Sequence, residues 1–326
     1  MNKRIYIVNI REYRGGTLVL SALCGLLREL GYDARLLIVP YLPEEKIARI
    51  NFYKDCIVKN TKYLIKSVLK KYIARIYPSA KFVKHFVSQA NVLNIKGIKI
   101  QWYPFINKNS IVIYPEVVYG NVLGAKNVAR WLLYKYYHKD DKGAYNKDDF
   151  FFAYRDIFDI PEFNPNHNII TIHYFNKELY RQYNPLKERV GNCYLIYKGR
   201  NRSDLPTKFD GPIIDSKMPQ EEIVDILNNC KYCYCYDPQT FYMQIAAVCG
   251  CIPILVMEPN KTEKDYLSDN ENHYGIAYGD NEEQIKYAVD TREKCLSLLN
   301  YDKQNRENAL QLIRLLQNRF GSIKRI

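Results

Sequence analysis

Residues 232–257, YCYCYDPQTFYMQIAAVCGCIPILVM, predict a strand, a polar loop, a short helix and a second strand. Tyr and Cys alternate at the start of this stretch, which is the period-2 pattern of a strand. The polar loop at 237–240 breaks the strand, and Gly250 ends the helix that follows. The apolar run at 252–257 is short enough for an interior parallel strand. Because ligands in open parallel sheets bind beyond the carboxyl ends of the strands, the pattern points to residues 237–241 as a binding site.

Strands and helices alternate along most of the chain. In the first part, strands are predicted at 3–9, 33–39, 92–101, 110–115 and 149–154, and helices at 17–30 and 124–135. In the second part, strands are predicted at 169–172 and 192–197, and helices at 176–183, 219–229, 281–298 and 303–319. The stretch FDIPEFNPNHN, residues 158–168, is rich in Pro and Asn without periodicity and is the best candidate for a domain boundary.

These elements predict an α/β protein with two Rossmann-like domains that face each other across an interdomain cleft. The first domain would span residues 1–157 and contain a basic helical insert at 41–90. The second would span residues 168–326 and end in the C-terminal helices. A chain of 326 residues is long enough for each domain to bury its own core.

Composition favours a cytoplasmic enzyme. Hydrophobic residues make up 47% of the chain, which excludes disorder as its main state. No apolar run approaches the ~20 residues needed to cross a bilayer. The N-terminal apolar stretch is short and strand-like, so no signal peptide is expected. The nine cysteines are too few for a disulfide framework in a chain of this length and indicate reduced thiols.

The net charge of +13 is concentrated in the insert at 41–90, which holds eleven Lys and Arg and three Asp and Glu. Apolar residues recur there at helical spacing, and Lys62, Lys66 and Lys70 form a stripe on another face. A basic amphipathic helix can lie on an anionic membrane, which here would involve residues 60–76. An ordinary surface helix with a solvated basic face and a nucleic-acid contact remain alternatives.

Three segments resemble a known family. Residues 236–255, YDPQTFYMQIAAVCGCIPIL, are similar to a family segment close to YDPYTALSIEAALCGCIPIV. Residues 112–135, VIYPEVVYGNVLGAKNVARWLLYK, are similar to one close to VYPEVVYGNPLGAKNVVRWLL. Residues 194–202, YLIYKGRNR, match strings such as YLIGKGRK more weakly. On these segments the chain resembles bacterial glycosyltransferases of the GT-B architecture, of the type encoded with capsule and lipopolysaccharide genes.

The resemblance implies transfer of a sugar from a nucleotide-diphosphate sugar. The donor would bind the C-terminal domain and the acceptor the N-terminal domain. Three cations follow the strand predicted at 192–197, namely Lys198, Arg200 and Arg202. Because cations must neutralise the leaving diphosphate when no metal does so, these side chains are candidate phosphate contacts. A solvated basic turn is the alternative.

Further candidate donor contacts lie at 237–244. Asp237 would hold a donor hydroxyl or cap the following helix, and Thr240 lies where backbone amides open that helix. The family has a Glu before its Ala-Ala pair that commonly binds the donor ribose, whereas this chain has Ile245 there. Either Gln244 replaces it from a shifted register, or the ribose is held differently, or the donor is unusual, or the activity is lost.

Two residues are candidate catalytic groups. Glu116 follows the strand at 110–115, where a carboxylate could deprotonate an acceptor hydroxyl, bind acceptor hydroxyls or cap the turn. His173, at the end of the strand predicted at 169–172, is a candidate base or sugar contact, with a buried structural histidine as the alternative.

Candidate acceptor contacts lie in two loops. Gly15 and Gly16 occupy a βα turn, where glycines allow a substrate to approach the backbone, although a tight turn explains them equally well. Asn121 and Lys126 lie in the Gly-flanked loop that follows Glu116 and at the start of the helix predicted at 124–135. Their match to the family segment implies a shared role.

No metal or cofactor is expected, and the nucleotide sugar would be a substrate. The acidic pairs at 140–141 and 148–149 flank a Gly-containing loop and predict a solvated surface. The cysteines between 230 and 251 lie on strand faces or beside a helix-ending glycine, rather than on the turns that zinc sites prefer. The mechanism would then be metal-independent.

The sequence therefore predicts a glycosyltransferase that extends a surface glycan, on an acceptor that could be lipid-linked. The basic insert would place this cytoplasmic enzyme on the inner face of the membrane. One alternative is a catalytically inactive scaffold, motivated by Ile245. Another is a basic nucleic-acid-binding protein, although the charge is concentrated in one helix and no aromatic platform motif of RNA modules is present.

Overall fold

The computed structural model describes residues 2–76, 92–134, 143–184, 189–215, 218–237, 240–266 and 273–326. The chain forms two compact units. Unit 1 comprises Met1–Tyr174 and Tyr301–Ile326, and unit 2 comprises Phe175–Asn300. The second domain was predicted to span residues 168–326. In the structure the boundary between the units follows Tyr174, and residues 301–326 belong to unit 1.

The described strands and helices follow the chain in this order. The strands are β1 (Ile5–Asn9), β2 (Ala34–Ile38), β3 (Ile100–Gln101), β4 (Ile111–Pro115), β5 (Asn127–Leu132), β6 (Phe150–Ala153), β7 (Asn192–Leu195), β8 (Ile213–Ile214), β9 (Tyr232–Cys235), β10 (Ile252–Leu255) and β11 (Ala277–Tyr278). The helices are α1 (Gly15–Glu29), α2 (Arg49–Ile76), α3 (Gln220–Asn229), α4 (Tyr242–Cys249), α5 (Glu282–Asp290), α6 (Arg292–Leu298) and α7 (Asp302–Phe320).

Unit 1 contains a parallel sheet of order β3-β2-β1-β4-β5-β6. Apolar side chains of α1 and α7 pack in one core cluster with the strands, around the fully buried Trp131. A second cluster joins α2, through Phe52 and Cys56, to the strands and to the loop after β4. Helices α1, α2 and α7 thus contribute apolar side chains to the two clusters that cover the sheet.

Unit 2 contains a parallel sheet of order β11-β10-β9-β7-β8. The stretch 232–257 forms β9, α4 and β10, with β9 and β10 paired in parallel. Gly250 ends α4 in the left-handed conformation, with φ of 86°. The predicted α/β class with two Rossmann-like sheets is therefore confirmed.

The predicted helix at 124–135 is wrong. Residues 127–132 form β5, which pairs with β4 and β6 on its two sides. Val128, Trp131 and Leu132 are buried, and the polar Arg130 is fully buried as well. A strand between two neighbours can be buried on both faces and then lacks the alternation that marks a strand, so periodicity failed here.

Other predicted elements differ in length or kind. The strand predicted at 92–101 is a 3-10 turn, Val92–Asn94, followed by the two-residue β3. Residues 169–172 contribute a single bridge from Ile169 to Ala153, and residues 176–183 form turns and bends instead of a helix. The helix predicted at 281–298 is two helices, α5 and α6, that meet at Thr291. The hydroxyl of Thr291 donates to the carbonyl of Tyr287 at this junction.

Candidate functional site

The strand order of unit 2 changes direction between β7 and β9. From β7 the chain moves to β8 on one side, and then to β9, β10 and β11 on the other. In open parallel sheets, ligands bind outside the carboxyl ends of the strands at such a switch point. The loops that follow β7 and β9 meet here, and they contain the residues predicted to bind the donor.

Asp237 joins these two loops. It follows β9, is 1% exposed, and its carboxylate accepts hydrogen bonds from two backbone amides of the loop after β7. The amide of Tyr197 lies 2.9 and 3.0 Å from the two carboxylate oxygens, and that of Gly199 lies 2.7 Å from Oδ1. Asp237 therefore organises the loop after β7, and its carboxylate is not directed at an open surface.

Arg202 is engaged with protein groups through all five of its N–H donors. Its Nη1 donates to the carbonyls of Val256 and Tyr236 at 2.8 and 3.4 Å, and its Nη2 donates to that of Met257 at 3.1 Å. The remaining donors form a fork with the carboxylate of Asp204 at 2.9 and 2.6 Å. Arg202 thus ties the ends of β9 and β10 to the loop after β7, and a phosphate contact would require it to release these partners.

Lys198 and Arg200 extend from the same loop and are exposed. They lie on a short 3-10 turn, Lys198–Asn201, directly beyond β7. Arg200 donates from Nε to the carbonyl of Tyr197 at 2.9 Å, and its guanidinium lies 5.5 Å from the Tyr197 ring centroid. Of the three predicted phosphate contacts, these two are arranged to meet an anion from outside.

The helix that follows Asp237 also begins at this edge. Thr240 precedes α4, and its hydroxyl accepts a hydrogen bond from the amide of Tyr242 at 3.4 Å. With its amide oriented so that nitrogen donates, Gln244 reaches the carbonyls of Thr240 and Phe241 at 3.2 and 3.1 Å. Ile245, at the position of the family Glu, is 2% exposed and belongs to the core. The structure therefore turns Gln244 back onto its own helix.

Unit 1 changes strand direction between β1 and β4, and Glu116 lies at this point. It follows β4 directly and is 4% exposed. Its carboxylate accepts a hydrogen bond from the amide of Leu133 at 3.0 Å, and its backbone carbonyl accepts one from the Tyr145 hydroxyl at 2.5 Å. Burial raises the pKa of the Glu116 carboxyl, and the nearby backbone amides offset this only in part.

Gly15 and Gly16 lie at the same edge of the sheet, where they form the first turn of α1 instead of a preceding loop. A Cβ at Gly15 would meet no atom within 4 Å, and one at Gly16 would lie 3.6 Å from the Leu133 side chain. Since the amide of Leu133 binds Glu116, Gly16 and this carboxylate both lie beside Leu133. The predicted close approach of a substrate to Gly15 and Gly16 remains a prediction.

Asn121 and Lys126 belong to the segment that leads from Glu116 to the start of β5. Asn121 accepts a hydrogen bond from the Tyr114 hydroxyl at 3.1 Å and donates to the carbonyl of Ala125 at 2.8 Å, so it shapes the loop between β4 and β5. Lys126 is exposed and directly precedes β5. Glu116 lies at the carboxyl end of the sheet and Lys126 at the amino end of β5. The length of β5 therefore separates Glu116 from Lys126 by roughly 20 Å.

His173 lies within unit 1, beside the first residues of α7. Its ring stacks on Tyr301 with centroids 4.1 Å apart, and the Asn305 side chain pairs with its backbone amide and carbonyl, each at 2.8 Å. Burial and the charge of Arg155 lower the pKa of the imidazole. These contacts give His173 a structural role where the chain leaves and re-enters unit 1.

The sequence did not reveal the residues that hold the loops of unit 1. Asn9 is fully buried at the end of β1, and its amide donates to the Thr17 carbonyl and the Ser21 hydroxyl at 2.8 and 3.0 Å. It thereby fixes the start of α1. An asparagine that ends an otherwise apolar strand was the available signal.

The requirements of a metal site and of a membrane-spanning helix can be compared with the described residues. Within them, no group of three or more His, Cys, Asp and Glu side chains is arranged to hold a metal ion. None of the described helices combines the length and apolar character that a membrane span requires.

No protein-family profile and no curated protein sequence matches the chain. Several solved glycosyltransferases cover nearly all of it in structure comparisons. An α-glucosyltransferase in complex with UDP-glucose and DNA containing an abasic site is 10% identical, covers 97% of this chain and 95% of its own, and has a TM-score of 0.38. For a glycosyltransferase from Rickettsia africae ESF-5, the values are 10%, 98%, 98% and 0.40. For the glycosyltransferase VinC in complex with dTDP, they are 11%, 98%, 96% and 0.30. These similarities are weak in both sequence identity and TM-score.

Proposed function

We propose that the protein is a metal-independent glycosyltransferase that takes a sugar from a nucleotide-diphosphate donor. The observation that carries the proposal is the placement of Lys198 and Arg200 at the switch point of unit 2, at the edge of the sheet where α4 also begins. Two exposed cations and the amides that open a helix form a suitable environment for a diphosphate. The resemblance of residues 194–202 and 236–255 to glycosyltransferase segments falls on these same loops.

Electrostatic stabilisation of the leaving diphosphate is the chemical step that these cations would support. When the bond between the sugar and the β-phosphate breaks, negative charge develops on the departing oxygen. Fixed cations lower the energy of that charge without proton transfer. Lys198 supplies a compact charge, and Arg200 supplies paired N–H donors that fit phosphate oxygens.

A thermal-shift panel tests the donor site. UDP, GDP, CMP and dTDP, beside UMP and GMP, would be added to wild type, Lys198→Ala and Lys231→Ala. Lys231 is an exposed lysine that directly precedes β9, at the opposite end of the same sheet, and so serves as a matched control. Binding to the folded state raises the melting temperature by mass action.

We expect one nucleoside diphosphate to stabilise wild type and Lys231→Ala and to have a much smaller effect on Lys198→Ala. The base of that nucleotide would identify the donor. If no nucleotide raises the melting temperature of wild type, the proposal is overturned in favour of an inactive scaffold. Ile245, which stands in place of the family Glu, is the residue that suggests this alternative. Equal shifts in all three proteins would place the nucleotide elsewhere.

The acceptor would bind unit 1, and we place the candidate base there. Glu116 is buried at the carboxyl end of β4, and a carboxyl whose pKa is raised by burial is better matched to proton abstraction near neutral pH. The match of residues 112–135 to the capsule and lipopolysaccharide type supports a surface glycan as the acceptor class.

We further propose that α2 contacts an anionic membrane, where a lipid-linked acceptor would be held. Its inner face, with Phe52 and Cys56, is buried against unit 1. The opposite side carries an outer stripe whose members are between 39% and 67% exposed, namely Ile65, Val68, Leu69, Tyr72, Ile73 and Ile76. Lys62, Lys66 and Lys70 run beside this outer stripe, and residues 56–76 contain no Asp or Glu.

This arrangement suits an interfacial helix. Apolar side chains at positions i, i+3, i+4, i+7, i+8 and i+11 form one continuous stripe along the helix. Such a stripe can enter the boundary between headgroups and acyl chains while the lysines meet anionic headgroups. An ordinary solvated surface helix would not be expected to expose six large apolar side chains in one line.

A further inference from the structure

We propose that Asp237 and Arg202 are positioning residues that hold the loop 197–201 in one conformation, so that Lys198 and Arg200 are presented to a diphosphate. Neither side chain would touch the ligand itself. The inference rests on the proposed donor function for its ligand, whereas the anchoring of the loop can be measured without any ligand.

The carboxylate of Asp237 is the first anchor. It is 1% exposed and accepts hydrogen bonds from the amides of Tyr197 and Gly199, with the shortest at 2.7 Å. Amide donors that follow a strand at a switch point are ordinarily available to a bound anion. Here a carboxylate of the protein occupies the amides of Tyr197 and Gly199, so an incoming diphosphate would meet the side chains that project from this loop instead of these two amides.

Close backbone packing also holds the loop in place. A Cβ at Gly199 would collide with the carbonyl oxygen of Tyr236, so the loop after β7 lies directly on the residue that follows β9. The Arg202 amide donates to the carbonyl of Gly199 at 3.0 Å and closes the turn. Only glycine allows this approach, and the contact leaves the backbone little freedom.

The side chain of Arg202 is the second anchor of the loop. Its guanidinium joins the carbonyls of Tyr236, Val256 and Met257, and Asp204 completes its set of partners. The guanidinium also lies 5.2 Å from the centroid of the Tyr236 ring. A planar fork with five donors can satisfy this set, whereas the point charge of lysine cannot.

The consequence is a loop fixed at both ends with two cations on its outer side. Held in this way, the backbone that carries the cations loses little conformational entropy when an anion binds. Electrostatic catalysis requires the same arrangement, because charges that are already in place do not need to reorganise as the leaving group departs. Asp237 and Arg202 would act on the diphosphate through Lys198 and Arg200.

Amide hydrogen exchange tests the anchoring. In Asp237→Asn one carboxylate oxygen becomes an NH2 group that cannot accept a hydrogen bond, so the amides of Tyr197 and Gly199 compete for a single acceptor. We expect these two amides to exchange at least about tenfold faster than in wild type, with core strands unchanged. Asp280→Asn, at an exposed aspartate of the same unit, is the control and should leave them unchanged. Equal exchange in Asp237→Asn and wild type would overturn the inference.

A double-mutant cycle tests the coupling to the ligand. The dissociation constants of UDP, GDP, dTDP and inorganic pyrophosphate would be measured for wild type, Asp237→Asn, the Lys198→Ala/Arg200→Ala double variant and the combination of all three changes. We expect Asp237→Asn to weaken binding about tenfold in wild type and to have almost no effect once the two cations are absent. Arg202→Lys should follow the same pattern.

The outcomes separate the inference from the proposed function. Effects of Asp237→Asn that are equal with and without the two cations would show a general structural role and overturn the inference alone. Failure of all four ligands to bind wild type would overturn the inference and the proposed donor function together. A variant that does not fold is replaced by Arg202→Lys, which perturbs the other end of the same loop.

Discussion

The guanidinium of Arg130 lies 2.6 Å from the carboxylate of Asp149, and both side chains are withdrawn from solvent, with exposures of 0% and 5%. The Nη1 and Nη2 atoms of Arg130 donate to the carbonyls of Val118 and Gly120 at 2.8 and 2.7 Å. One buried cation therefore joins β5 to the loop before β6 and to the loop that follows Glu116. The sequence suggested a solvated acidic pair at 148–149, and the structure divides it into a buried partner and an exposed neighbour.

Loss of one partner in this ion pair should destabilise unit 1. Asp149→Ala would leave the Arg130 charge buried without its counter-ion, and we expect a loss of about 3 kcal/mol in the free energy of unfolding. Asp148→Ala, at the exposed neighbouring position, should stay within about 0.5 kcal/mol of wild type. Urea denaturation measures both values. Similar stabilities of the two variants would show that the buried pair contributes little.

Addition of a single methyl group should distinguish two glycines of the site loops. Gly199→Ala places a Cβ against the carbonyl of Tyr236, and we expect it to lower the free energy of unfolding by about 2 kcal/mol. Gly15→Ala meets no atom within 4 Å in the first turn of α1 and should be neutral or stabilising, by up to about 1 kcal/mol. Thermal and urea unfolding of the two variants would measure this difference, and a stable Gly199→Ala would contradict the close packing described for this loop.

The sequence predicted most elements whose apolar residues follow a regular period. Residues 232–257 alternate Tyr and Cys and then cluster small residues before a glycine, and they form β9, α4 and β10 as expected. By contrast, β5 lies between two strands and is buried on both faces, so its pattern did not distinguish a strand from a helix. The period of the apolar residues indicates which face of an element is buried in the core. It gives no such indication for an element that is buried on both faces.

The chemistry of the site was only partly visible in the sequence. Glu116, Lys198 and Asp237 follow the strands β4, β7 and β9, as the sequence predicted, whereas their roles in binding and catalysis stay predictions. Hydrogen bonds between residues far apart in the chain were not visible, because nothing local marks them. Arg202 resembles any cation in a basic loop until the carbonyls of Val256 and Met257 are seen to occupy it.

The difference in stability between wild type and Glu116→Gln should depend on pH. Burial raises the pKa of its carboxyl in the folded state, so the folded protein holds this proton more tightly than the unfolded chain. The stability linked to the protonated form is present at low pH and is lost as the pH rises through the folded pKa. Glu116→Gln imitates the neutral form, and its melting temperature relative to wild type should therefore increase between pH 4 and pH 8. Differential scanning calorimetry over this range measures the effect.

The same substitution at Glu162 provides the control for this pH series. Glu162 is exposed, and Glu162→Gln should follow the wild-type pH profile. If Glu116→Gln also runs parallel to wild type, the carboxyl is not destabilised by burial. Transfer activity, once a donor is identified, should fall in Glu116→Gln if this carboxylate accepts the acceptor proton, because the amide cannot act as a base.

Membrane contact through α2 should depend on anionic lipid and on the outer stripe. We expect wild type to sediment with vesicles that contain phosphatidylglycerol and to remain in solution with pure phosphatidylcholine. Reversal of charge in Lys62→Glu, Lys66→Glu and Lys70→Glu together should abolish sedimentation. A second variant, Val68→Ser with Leu69→Ser, should weaken it while keeping every charge, because roughly 0.8 kcal/mol is lost for each apolar CH2 that no longer enters the lipid.

A charge-matched variant separates this contact from a general effect of net charge. Lys286→Glu, Lys294→Glu and Lys303→Glu change the same number of charges at exposed positions on α5, α6 and α7 and should sediment like wild type. Because the outer stripe is exposed on a helix whose other face is packed, its serine variant should fold normally and show an unchanged melting temperature. Equal loss of sedimentation in the two charge-reversed proteins would indicate attraction without a docking helix, and full sedimentation of the serine variant would exclude insertion of the outer stripe.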